Sequence, residues 1–88
     1  MLQREVEVVN VNGIHARPSS EIVKLAAKFS ATITLAREGL EVNGKSIMGV
    51  MMLAAECGAV VTIKAEGEDA AAALEAIAEL ISSRFEEH

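Results

Sequence analysis

Polar and apolar residues alternate over residues 3–9, with Val6 and Val8 on one face, and this period of two predicts a strand. Asn12-Gly13 then breaks the chain. Over residues 18–29 the period changes. Ile22, Leu25, Ala26 and Phe29 recur at the spacing that makes one face of a helix. Pro18 suits a first helical turn, because its missing N–H would have no intrahelical acceptor there, and it biases Arg17 away from helical angles. His15, Ala16 and Arg17 are therefore expected in the loop that enters the helix. Residues 32–36 are rich in β-branched side chains and read as a strand, Glu38-Gly39 as a turn, and residues 40–42 as a short returning strand. Ser46 precedes an apolar run as an N-cap does, which predicts a short helix to about Leu53. Residues 60–65 form a further strand. Gly67 and Asp69 introduce a last helix, with Leu74, Ile77, Ile81 and Phe85 inward and Glu75, Glu79 and Glu86 outward. The order β-α-β-β-α-β-α predicts an α+β fold, with helices on one face of a mainly antiparallel sheet.

Composition narrows this picture. The 88 residues suit a single domain, 1–88, and 51% hydrophobic with 24% charged residues describes a globular chain. Phe29 and Phe85 are the only aromatics, so the core must be built from aliphatic residues and methionine. A net charge of -5, with no Trp or Tyr, argues against nucleic-acid binding, which needs a basic footprint and stacking platforms. Cys57 is the one cysteine, so no intrachain disulfide forms, and it is expected to be a small buried residue. The first residues lack a secretory h-region. The longest apolar stretch, residues 47–55, is far short of the roughly 18 needed to span a bilayer. These features point to a soluble cytoplasmic protein without a membrane partner. His15 and a tail residue, His88, make no metal signature with a single cysteine, and no cofactor is expected.

The chemistry gathers in residues 13–20. Gly13 permits a tight backbone path. His15 lies just before a helix N-terminus, where unpaired N–H groups and the positive dipole end attract anions. Arg17 offers a fork of donors matched to phosphate oxygens, and Ser19 and Ser20 add amides and hydroxyls. Histidine can form covalent intermediates. A phosphoryl group on that ring would meet the helix amides and Arg17. The plainer alternative is a histidine that only caps the helix or sits in a turn, and spacing alone does not decide between them.

Gly13-Ile14-His15-Ala16-Arg17-Pro18-Ser19-Ser20 closely resembles the active-centre motif of the HPr family, the histidine-containing phosphocarriers of the bacterial phosphoenolpyruvate-dependent sugar phosphotransferase system. The usual wording is GLHARPA, from which this chain departs by Ile14 for Leu and Ser19 for Ala. A second stretch, Gly44-Lys45-Ser46-Ile47-Met48-Gly49-Val50-Met51, resembles the branch that carries a regulatory serine. The resemblance extends over the whole chain in length and element order. It implies an open-faced β-sandwich in which a four-stranded antiparallel sheet carries helices on one side. It implies that His15 takes a phosphoryl group from Enzyme I on Nδ1 and passes it to an EIIA permease component, with Arg17 steadying the phosphate. The protein would be a covalently modified carrier without turnover of its own.

The same resemblance implies phosphorylation of Ser46 by an HPr kinase/phosphorylase, weaker transfer from Enzyme I afterwards, and in some bacteria binding of the phosphoserine form to a catabolite-control transcription regulator. About half of Ile47, Met48, Met51 and Met52 are expected to face inward. Those left exposed, chiefly Ile47, Met48 and Met51, would make an adaptable docking patch beside the His15 loop together with Ala16, Pro18 and Ser20. Lys24 and Lys45, with Arg17, would rim it with positive charge. A carrier for the nitrogen-related branch, or a mainly regulatory phosphoserine protein, are alternative readings. A monomer is the simplest state for a shuttle.

Overall fold

Seven elements follow in the order that the periodicity predicts: β1 (Leu2–Glu7), α1 (Ala16–Ala26), β2 (Thr32–Arg37), β3 (Leu40–Asn43), α2 (Ile47–Met52), β4 (Val60–Glu66) and α3 (Ala70–Ser82). The computed structural model describes residues 1–83. The expectations for Phe85, Glu86 and His88 lie outside the described residues.

The strands form one sheet in the order β1-β4-β2-β3, antiparallel throughout. The strand latest in sequence, β4, is thus central, between β1 and β2. The period of two decides which face is buried. Val61, Ile63 and Ala65 of β4 and Ile33 and Leu35 of β2 are buried beneath Ile22 and Ala26 of α1 and Ala73, Ile77 and Ile81 of α3. The opposite face stays polar. There Gln3 pairs in register with Lys64, and the Lys64 ammonium reaches the Glu41 carboxylate at 2.6 Å. The hairpin β2–β3 turns on Glu38 and Gly39, both with positive φ (51° and 86°). Two left-handed residues make the turn whose twist matches the flanking strands.

Two boundaries differ from the sequence reading. Helix α1 starts at Ala16 rather than Pro18, with His15 as N-cap, and ends at Ala26 rather than Phe29. Pro18 is tolerated as the third helical residue because the first helical hydrogen bond is donated by Ser19 to the His15 carbonyl, at 2.9 Å. Cys57 is exposed, not buried. It stands in the turn closed by the Ala59 N–H on the Glu56 carbonyl, and the adjoining core positions are filled by Leu53 and Ala55.

In α1, Ser19 is fully buried, and its Oγ has no hydrogen-bond partner among the described residues. At the start of α3, Asp69 holds the N-cap position but does not cap its own helix. Its carboxylate instead accepts the N–H groups of Ser30 and Ala31, both at 2.8 Å, tying the exit from α1 to the entry of α3.

Those bonds have testable consequences. The Ser30 N–H, aided by that of Ala31 and opposed by partial desolvation, holds the Asp69 carboxyl below its usual pKa. A carboxylate depressed in the folded state contributes stability that is complete above about pH 4 and is lost as pH falls through the folded value. Urea midpoints of wild type and Asp69→Asn should therefore differ most at neutral pH and converge below about pH 4; a constant gap would contradict the clamp. Ser19→Ala should stabilise the protein by about 1 kcal/mol by removing the buried hydroxyl, read as a raised thermal midpoint.

Candidate functional site

The segment between β1 and α1 is fixed by backbone and one side chain. Asn10 is buried, and its Nδ2 donates to the Gly13 carbonyl at 2.6 Å, while the Gly13 N–H returns to the Asn10 carbonyl at 3.1 Å. The Ile14 N–H then donates to the Ala55 carbonyl at 2.7 Å, and Ile14 itself is buried. Gly13 has φ +69°, and a Cβ there would lie 2.6 Å from the Ala55 oxygen and 2.7 Å from the Glu56 Cα. Only glycine permits both that backbone angle and that approach.

His15 emerges from this fixed path exposed to solvent, at the N-cap of α1 in extended conformation (φ -100°, ψ -160°). Its side chain makes no capping hydrogen bond to the helix. Ala16 and Arg17 open the helix, and the geometry of a first turn leaves their N–H groups without intrahelical acceptors. Both residues are exposed. An imidazole, two outward amides, a guanidinium and the positive end of an eleven-residue helix therefore share one corner of the molecule. That arrangement suits an anionic group carried on the ring. Pro18 packs inward, and Ser20 is half-buried. Among the described residues no cluster of His, Cys, Asp or Glu is placed to hold a metal ion, and no helix is long and apolar enough to cross a membrane.

Helix α2 lies alongside α1 and runs the opposite way. Its start is pinned near the end of α1, where the Lys45 ammonium donates to the Phe29 carbonyl at 2.7 Å and the Gly44 N–H to the Ile33 carbonyl. The segment after it reaches the His15 loop through Ala55. Ser46 caps α2, its Oγ accepting the Gly49 N–H at 3.1 Å. The expectation of a half-inward set fails here. Ile47, Met48, Met51 and Met52 are all exposed, at 45%, 72%, 42% and 65%. A six-residue helix presents one short inward face, which Val50 and the following Leu53 fill. The result is an apolar surface flanking α1, wider than the sequence suggested. Lys24 is exposed in the last turn of α1, seven residues from Arg17 and hence on nearly the same helix face. Lys45 belongs to the far end, with its ammonium engaged at the carbonyl of Phe29.

Asn10, Ala55 and Arg37 were not singled out by sequence. Asn10 had a usable signal, an asparagine three residues before a glycine turn, since its amide can mimic a backbone partner. Ala55 and Arg37 had none, because their partners lie far off in the chain.

The family described as "PTS HPr component phosphorylation site" matches residues 2–83. A phosphocarrier protein HPr from Xylella fastidiosa is 46% identical over 87 residues, covering 99% of this chain and 98% of that protein. One from Treponema pallidum is 47% identical over 87 residues, with 99% of each covered. The crystal structure of HPr-C-His from Thermoanaerobacter tengcongensis superposes with a TM-score of 0.95 at 42% identity, over 100% of this chain and 99% of that one. With the helix-mounted histidine loop and the antiparallel sheet in place, the conclusion is that this chain belongs to the HPr family of phosphotransferase-system phosphocarriers.

Proposed function

We propose that His15 accepts a phosphoryl group from Enzyme I and delivers it to an EIIA component of a sugar permease, and that Ser46 is a site of regulatory phosphorylation. The observation that carries the first part is the exposed His15 at the N-cap of α1, beside the amides of Ala16 and Arg17. In the transfer, the bond from phosphorus to the donor breaks as a bond to a ring nitrogen forms. No water and no redox partner enters. The phosphoryl charge spreads over its equatorial oxygens, so positioning and electrostatics supply the catalysis. Outward N–H groups at the helix start and the Arg17 guanidinium supply both without reorganising. Hand-off reverses the step on the acceptor, which is why an exposed carrier without turnover of its own suits the task.

The exposed Ile47, Met48 and Met51 support a docking role for α2, because flexible thioethers adapt to several partners. Arg17 and Lys24, on one face of the neighbouring helix, support steering of an acidic partner surface. Ser46 sits at the opposite end of α1 from His15. An eleven-residue helix is about 16 Å long, so a phosphate at Ser46 would act on partner docking rather than on the ring. A dianion there meets an N-terminal helix end, which tolerates it, and alters an apolar contact surface. An HPr kinase/phosphorylase and a catabolite-control regulator are the partners this reading requires, and the cytoplasm is the compartment in which they would meet.

Intact mass after incubation with Enzyme I and phosphoenolpyruvate should show one acid-labile phosphoryl group on wild type and none on His15→Ala; acceptance by the variant would refute the assignment. Ser46→Asp should slow acceptance from Enzyme I by about tenfold through weakened docking, whereas Ser46→Ala should leave the rate unchanged while losing about 1 kcal/mol of stability with its cap. Initial rates and urea midpoints measured on the same samples separate the two effects.

A further inference from the structure

Resting on the phosphocarrier reading, we propose that Arg37 is a positioning residue for His15, acting through the connection between α2 and β4. Arg37 ends β2, and its side chain is four-fifths buried. Nη1 donates to the Ala54 carbonyl at 3.1 Å and to the Leu53 carbonyl at 3.3 Å. Leu53 is the C-cap of α2, where carbonyls lack intrahelical donors and the helix dipole is negative, so a guanidinium fits both in charge and in hydrogen bonding. Ala54 carries a positive φ of 52°, a conformation an alanine holds only when its surroundings impose it. The bond from Arg37 to the Ala54 carbonyl is such an imposition.

The next residue is Ala55, whose carbonyl accepts the Ile14 N–H and against which Gly13 is packed. The path is short and continuous: Arg37 holds residues 53–54, these orient the Ala55 carbonyl, and that carbonyl locates Ile14, the residue before His15. Without Arg37 the left-handed turn at Ala54 loses its side-chain tether, and the His15 loop loses a fixed surface to dock on. The ion pair of Arg37 with Glu56 is long, 3.8 Å, and Glu56 is 80% exposed, so it contributes little to this hold. The carbonyl bonds carry it, both donated by Nη1 of a side chain packed against the end of α2.

The test uses full-length wild type, Arg37→Ala, Arg37→Lys and Glu56→Gln. Two readouts are taken: amide hydrogen exchange at Ile14, and kcat and KM for phosphorylation by Enzyme I and phosphoenolpyruvate. In Arg37→Ala, Ile14 exchange should rise about tenfold while Ile33 and Leu35 in the sheet keep their protection. Its kcat should fall about tenfold with KM little changed, because the ring is misplaced rather than the docking surface lost. Arg37→Lys should recover part of both effects, and it carries the test if the alanine variant does not fold. Glu56→Gln should match wild type. Unchanged Ile14 exchange in Arg37→Ala, or faster exchange with unchanged kcat, would overturn the role. A wild type that accepts no phosphoryl group at all would remove the carrier reading, and the positioning role with it. A phosphorylated wild type alongside an unaffected Arg37→Ala would remove the role of Arg37 alone.

Discussion

The hydrogen bond from the Ile14 N–H to the Ala55 carbonyl joins two loops that are distant in the chain, and Gly13 allows it by leaving out a Cβ that would collide with the acceptor. Around that joint the molecule is organised. On one side of it the chain turns through Asn10 and starts α1 at His15. On the other it ends α2, passes the exposed turn at Cys57 and enters β4, the central strand. An exposed side chain on a loop keeps a defined position only when its backbone is anchored in this way.

The two ends of α1 do different work. At its start, unpaired amides and Arg17 surround His15 with positive character. At its end, backbone groups are claimed by side chains from elsewhere, as the Asp69 carboxylate takes the N–H groups of Ser30 and Ala31 and the Lys45 ammonium takes the Phe29 carbonyl. Helix α2, alongside, exposes its methionines while Val50 and Leu53 fill its inward face.

Family membership and this geometry divide the functional question. A phosphocarrier of the phosphotransferase system needs one exposed acceptor, one stabilised anion site and a surface that several partners can use in turn. The proposed acceptor and anion site would lie within three consecutive residues, His15 to Arg17, and the exposed apolar residues run along the adjacent helix. Ser46, the N-cap of that helix, lies beside its exposed apolar residues and towards the end of α1 away from His15.

Local chemistry was legible in the sequence wherever its cause was local. The alternation in β1 and β4, the helical spacing of Ile22 and Ala26, the Ser46 cap and the turn at Glu38-Gly39 all follow from neighbouring residues, and so does His15 standing before a helix. The start of α1 was missed by two residues because the bias of Pro18 against helical angles at Arg17 is weak. Tertiary contacts decided the rest. The central place of β4, the outward turn of Cys57 and of all three α2 methionines, and the engagement of Asp69 outside its own helix depend on which distant segments arrive. The sequence by itself determined the elements and the place of His15 at the entry to α1, since propensity and capping act over a few residues. Only the folded chain decided that Asn10 meets Gly13, Ala55 meets Ile14 and Arg37 meets Ala54, because a carbonyl becomes a specific partner only when the fold brings a donor to it.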